Sequence, residues 1–187
     1  MIYLSKGMVR KDSTEDRLNI SRGGQSFLLT GTEAALWLNG RFVFSMTRSP
    51  AEERFLQHLI RMGLAEAEAD EDNTAKYRIL SRCVCCPARV KKMVLPLAGK
   101  EKEVWTWLEK AGLRLSTAEL IYLMEHQIQP EERLLYEENR QALVETIYTQ
   151  NTIADNILEN QMETASCRDE VVQVLLQLLK KKRILVL

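Results

Sequence analysis

Ser49-Pro50-Ala51-Glu52-Glu53-Arg54-Phe55-Leu56-Gln57-His58-Leu59-Ile60-Arg61-Met62-Gly63-Leu64 is the stretch from which the fold reads outward. Ser49 and Glu52 have the spacing of a capping box, and Pro50 stands at the first helical position, where its missing N–H is no loss. The spacing predicts a helix carrying Phe55, Leu56, Leu59, Ile60 and Met62, stopped by Gly63. Upstream, short apolar clusters alternate with turn chemistry: Ile2-Tyr3-Leu4, Met8-Val9, Leu18-Asn19-Ile20, then Gly23-Gly24 before Phe27-Leu28-Leu29. These predict two or three short antiparallel strands with a hairpin at the glycine pair. Thr32 to Leu38 predicts a short helix, ended by Asn39-Gly40 in the left-handed region. Arg41 to Ser45 is β-prone or a connector. Downstream, Leu64 onward and Tyr77-Arg78-Ile79-Leu80, joined by the acidic turn at Asp70-Glu71-Asp72-Asn73, predict a two-stranded wing.

A second cycle of elements opens after a connector containing Pro87, Pro96 and Gly99. Val104, Trp107, Leu108 and Ala111 share a helical face that ends at Gly112, and Leu113-Arg114-Leu115 reads as a short strand. Ser116 and Glu119 form a second capping box, opening a helix through Leu120, Ile121 and Met124. Pro130 starts a helical stretch carrying Leu134, Leu143, Val144 and Ile147, and Ile153, Ala154, Ile157 and Leu158 mark another after Thr152. The last helix begins near Ser166, with Asp169 at its third turn position and Val171, Val174, Leu175, Leu178 and Leu179 inward. Ile184 to Leu187 closes the chain as a strand. Slid against each other, Thr32 to Leu38 aligns with Thr117 to Leu123, and Phe55 to Leu59 with Leu175 to Leu179. The expected fold is helix-rich α+β, two tandem winged-helix-like units with short antiparallel strands. Residues 1–82 form the first unit, 83–99 a basic Cys- and Pro-containing connector, and 100–187 a helical second unit; a single mixed α+β domain is the alternative.

Composition narrows the function classes. The chain has 187 residues, room for one large or two small domains, and its 26 basic and 26 acidic side chains cancel. A hydrophobic share of 45% supports a real core, and 8 Gly with 4 Pro exclude collagen-like and low-complexity chains. The first residues lack a signal-peptide stretch and charges interrupt every candidate span, so a cytoplasmic protein without a membrane segment is expected. The neutral total hides segregation: residues 115–170 hold twelve acidic side chains against Arg133, Arg140 and Arg168, whereas 1–64 and 77–114 are basic.

No catalytic constellation emerges. Cys83, Cys85 and Cys86 crowd together, but neighbouring Cys85 and Cys86 cannot easily both turn inward from one strand to complete a tetrahedral zinc set, so reduced, partly buried thiols are expected and no metal. His58 and His126, the two histidines, stand in no metal or triad spacing. Glu131, Glu132, Glu137 and Glu138 read as a solvated helix face, and Gly23-Gly24 lacks the lysine of a phosphate loop. Trp37, Trp105 and Trp107 are candidate interface anchors, and an aromatic share of 6% is too low for a base-stacking platform.

Leu4-Ser5-Lys6-Gly7, Asp12, Leu29, the run Ala35-Leu36-Trp37-Leu38-Asn39-Gly40 and the Leu59 to Leu64 exit together resemble PqqD-like peptide-recognition domains over the first third of the chain. That resemblance implies a winged-helix relative that binds leader peptides on a strand edge. Leu113 to Leu120 is similar to an opening found in winged-helix regulators and in type VII secretion chaperones, which implies a protein that holds export substrates in the cytoplasm. The expected function is therefore a non-enzymatic, chaperone-like adaptor, without a cofactor, that binds a protein or peptide on a strand edge and is compatible with a homodimer. The alternative is a winged-helix transcriptional regulator. Residues 141–167 contain no Lys or Arg, so DNA would be read by the first unit and the connector, through Arg41, Arg48, Arg54, Arg61, Arg89, Lys91 and Lys92. The same cations would serve an acidic protein partner.

Overall fold

A computed structural model describes residues 1–14, 17–88, 97, 99–109, 114–130, 140–148 and 156–187, in eight helices and three small antiparallel sheets of three strands each. The helix-rich α+β class expected from sequence is the class observed. Strand β1 (Ile2–Ser5) is followed by a meander of β2 (Met8–Val9), β3 (Arg17–Arg22) and β4 (Gln25–Thr30), so four strands stand where two or three were expected. Gly23 and Gly24, at φ 55° and 81°, supply the two left-handed residues a tight hairpin requires, pairing Arg22 with Gln25.

Helix α1 (Gly31–Asn39) ends at Gly40, which is not left-handed: its φ is −85°. Glycine is needed there for space, because a Cβ would lie 2.5 Å from the Tyr3 ring. The Arg41 to Phe44 segment is a connector, and β5 (Ser45–Met46) leads to α2 (Pro50–Arg61). The Ser49 hydroxyl accepts the Glu52 amide at 3.2 Å, while the Glu52 carboxylate takes the Arg48 amide instead of the Ser49 amide, so the box closes one residue early. β6 (Ala65–Glu68) then pairs with β1 from Ile2↔Glu68 to Ser5↔Ala65, giving the order β5-β1-β6.

The expected wing is absent at this point: Tyr77 to Leu80 lies in helix α3 (Asn73–Ser81). Asp72 decides this, accepting the Ala75 amide at 2.7 Å as an N-cap, so the end of the acidic run starts a helix as well as making a turn. The segment expected as a connector begins with strand β7 (Val84–Pro87), the centre of the sheet β8-β7-β9. Helices α4 (Gly99–Glu109), α5 (Thr117–Glu125), α6 (Arg140–Ile147), α7 (Ile157–Met162) and α8 (Arg168–Lys180) follow, with β8 (Leu115–Ser116) before α5 and β9 (Ile184–Val186) at the end. Ser116 and Glu119 make both bonds of the capping box. Leu134, Ile153 and Ala154 lie outside the described residues.

The first and last sheets are built in one order: the earliest strand is central, the next is a two-residue edge, and the third is the opposite edge after a helix. Both helix exits use the same pair of bonds. Gly63 N donates to Ile60 O and Leu64 N to Leu59 O; Lys182 N donates to Leu179 O and Arg183 N to Leu178 O, all at 2.8 Å. Leu59 therefore stands where Leu178 does, one residue off the sequence alignment. By position relative to the strands α1 corresponds to α4, not to α5, and each sends one tryptophan, Trp37 or Trp107, into a core. β1 joins two cores: Tyr3 packs with Trp37, Leu56 and Leu59, whereas Ile2 and Leu4 belong to the larger cluster with Tyr77, Trp107 and Leu178.

Candidate functional site

Strand β4 is an edge of the second sheet. It pairs with β3 alone, in register from Arg17↔Thr30 to Arg22↔Gln25. A two-residue hairpin makes Arg22 and Gln25 a hydrogen-bonded pair, and the alternation of antiparallel ladders then aims the N–H and C=O of Ser26 and Leu28 away from β3. The register of β3 agrees, since Asn19, opposite Leu28, turns its carbonyl to Arg10 N at 2.8 Å and its amide to Ser13 Oγ at 2.9 Å. Natural edge strands are guarded by lysine, proline, bulges or short length. Gln25–Thr30 is six residues long and has no charged residue and no proline. Leu29 is buried against the first core, Phe27 is half-buried, and Leu28 points outward at 57% exposure.

The sequence-derived cations fall in separate places. Arg48, Arg54 and Arg61 are exposed along α2 and its start, where Glu53 is exposed among them. Arg41 is half-buried, its guanidinium 4.7 Å from the Phe42 ring and 5.3 Å from the Trp37 ring, and it faces a cleft together with Arg114 and Lys182, neither of which was singled out by sequence. Arg89, Lys91 and Lys92 lie outside the described residues. Arg78 and Arg82, also counted among the basic residues, are paired with Glu163 at 2.7 Å and Glu68 at 2.5 Å.

Two of the three tryptophans are not surface anchors. Trp37 and Trp107 are 0% exposed, one in each core; the Trp37 indole N–H is used up on Lys6 O at 3.0 Å. Trp105 is half-buried with the Arg183 guanidinium 5.6 Å from its ring. Burial of large apolar rings is the stronger force at these positions, and it follows the helical spacing of α1 and α4.

Burial keeps the thiols of Cys83, Cys85 and Cys86 protonated. Burial pushes the Cys83 thiol up to about 12 and raises Cys85 further, while Cys86 is raised by burial and partly relieved by Arg114. Thiolate is the reactive and metal-binding form, so these groups are inert near neutral pH. Cys83 donates to Ile79 O, and Cys85 and Cys86 alternate across β7. Among the described residues no group of three His, Cys, Asp or Glu side chains is arranged to hold a metal ion. His58 Nδ1 lies 2.5 Å from Glu33 Oε1, and His126, the C-cap of α5, stacks on Tyr122 at 4.0 Å. No described helix is long and apolar enough to cross a membrane.

Comparison of the chain with family models, with curated proteins and with solved structures gives no match in any of the three.

Proposed function

We propose that this protein is a non-enzymatic adaptor of the cytoplasm that captures an extended protein or peptide segment by adding it as a fourth strand to β4. The observation that carries the reading is the unguarded edge at Gln25–Thr30, with Leu28 exposed and the backbone groups of Ser26 and Leu28 facing outward. Strand addition takes affinity from main-chain hydrogen bonds and specificity from alternate side chains. The PqqD-like resemblance of the first third points the same way. Buried, protonated thiols and two histidines tied to separate partners support a binding role over a catalytic one.

Selection of random peptides on the immobilised protein, followed by amide hydrogen exchange, tests this. Selected peptides are expected to slow exchange at Ser26 and Leu28 and to lose at least about tenfold in affinity to Leu28→Lys, which places a charge and a long side chain on the edge. Exchange unchanged at β4, or affinity indifferent to Leu28→Lys, overturns the reading. A parallel titration with duplex DNA addresses the regulator alternative. Salt-sensitive binding abolished by Arg54→Glu with Arg61→Glu, with β4 untouched, would replace the adaptor by a DNA-binding protein.

A further inference from the structure

A cleft of about 700 Å3 opens where β2 and the connector after α1 face the outer side of β7 and β9. Its volume is in the range of small-ligand sites. Three cations line it, half-buried Arg41 and exposed Arg114 and Lys182, over an apolar floor that includes Met8, Phe42 and Leu185; no Asp or Glu side chain is among its described lining residues. Elsewhere in the described structure, cations from buried Lys6 to exposed Lys181 have found acids. Lys6 pairs with Glu66 at 2.6 Å, Arg168 with Asp169 at 2.8 Å, and Lys181, the neighbour of Lys182, with Glu101 at 2.7 Å.

Arg41 is the anomaly. Its Nε is buried and makes no hydrogen bond among the described residues, and burial alone lowers its pKa from the usual arginine value, with no carboxylate opposing the shift. A buried donor left unmade is costly, and at the wall of an open cleft a ligand oxygen can complete it. Phe42 holds the charge in place, with Arg41 on its ring at 4.7 Å and Lys182 Nζ at 5.3 Å from the same centroid.

Lys182 adds an independent observation. It sits in the left-handed region, φ 56°, at the helix exit where the first sheet has Gly63 at φ 70°. A lysine is strained there relative to glycine, because its Cβ crowds the following carbonyl. Strain kept at a site whose described lining offers its cations no carboxylate points to use of the ammonium group.

From this geometry we infer that the cleft binds a small organic anion, its phosphate or carboxylate oxygens gripped by Arg41, Lys182 and Arg114 and its apolar body resting on Phe42 and Leu185. Guanidinium groups present a planar fork to such oxygens, and the half-enclosed apolar floor strengthens the contact. This site is separate from the β4 edge and does not depend on the adaptor reading.

Calorimetric titration with 1-naphthyl phosphate, 2-naphthoate, uncharged 2-naphthol and inorganic phosphate tests the inference. One or both naphthyl anions are expected to bind at least about tenfold tighter than 2-naphthol and than inorganic phosphate. Whichever of the two is tighter identifies the head group. Arg41→Gln should weaken binding by about tenfold or more. Lys182→Gly should weaken it similarly while raising the thermal midpoint, because it removes the left-handed strain; lost affinity in a more stable protein cannot be misfolding. Leu28→Lys should leave anion binding unchanged. Equal affinity for 2-naphthol, no binding of either anion, or full affinity in Lys182→Gly overturns the inference.

Discussion

Glu125 is a carboxylate working at a distance from its own helix. It ends α5, yet accepts hydrogen bonds from the Ser166 hydroxyl at 2.9 Å and the Cys167 amide at 3.0 Å, at the start of α8. The sequence places a start near Ser166; the helix runs from Arg168, and its N-cap Cys167 makes no side-chain cap bond. Glu125 thus caps α8 from outside. Hydrogen bonding from Cys167, side chain and amide, and then from Ser166 pulls its pKa from 4.5 to about 2. A depressed carboxylate pKa gives stability that is fully present above about 4.5 and lost as pH falls toward 2. The thermal midpoint of the native protein should drop through this window, and Glu125→Gln, already without the charge, should start lower and fall less steeply. Parallel slopes for the two proteins between pH 5 and 2 would contradict the assignment.

At the scale of elements, the two serine caps differ in what they close. Ser116 is bound into a full box: its hydroxyl accepts the Glu119 amide at 3.1 Å, Glu119 returns to the Ser116 amide at 2.6 Å, and Tyr148 donates to the other Glu119 oxygen at 3.0 Å. Ser116→Ala should cost about 1 kcal/mol, read as a lower urea midpoint at unchanged m-value, and more than Ser49→Ala, whose box is open on one side. Both caps are legible in the sequence because their residues are three apart. The helix α3 is not legible in the same way. Tyr77-Arg78-Ile79-Leu80 reads like a strand, and the helix wins through the Asp72 cap together with packing that covers Ala75, Tyr77, Ile79 and Leu80. The β4 hairpin is visible in Gly23-Gly24, but its openness depends on which strands fail to pair with it. The cleft is least legible of all: Met8, Arg41, Arg114 and Lys182 come from four distant segments, and charge counts single out Arg41 alone among them.

Over the whole molecule, the sharing of β1 couples the two ends of the chain. Its alternate residues go to opposite cores, and Gly7 N donates to Val186 O at 3.0 Å, tying the first strands to the last. Lys6, 2% exposed, reinforces the junction by reaching both Glu66 and, at 3.3 Å, Arg82 O. Residues 1–82 cut from the rest would leave Ile2, Leu4, Tyr77, Ile79 and Leu80 without most of their cluster. The fragment is expected to be unfolded or aggregated, and the intact chain to melt in one transition by both tryptophan fluorescence and far-UV circular dichroism. A soluble, cooperatively folded fragment of 1–82 would show that the cores are independent.

The double-faced strand also sets an order in time. At about 5–20 residues per second, a ribosome needs roughly 10–40 s to go from Leu4 to Ile184. For that interval Ile2 and Leu4 wait in a nascent chain for the rest of the core to which they belong. A strand synthesised well before most of its partners is thus among the last to be finished, and the cell must shelter its apolar side until Ile184 and Val186 have been made.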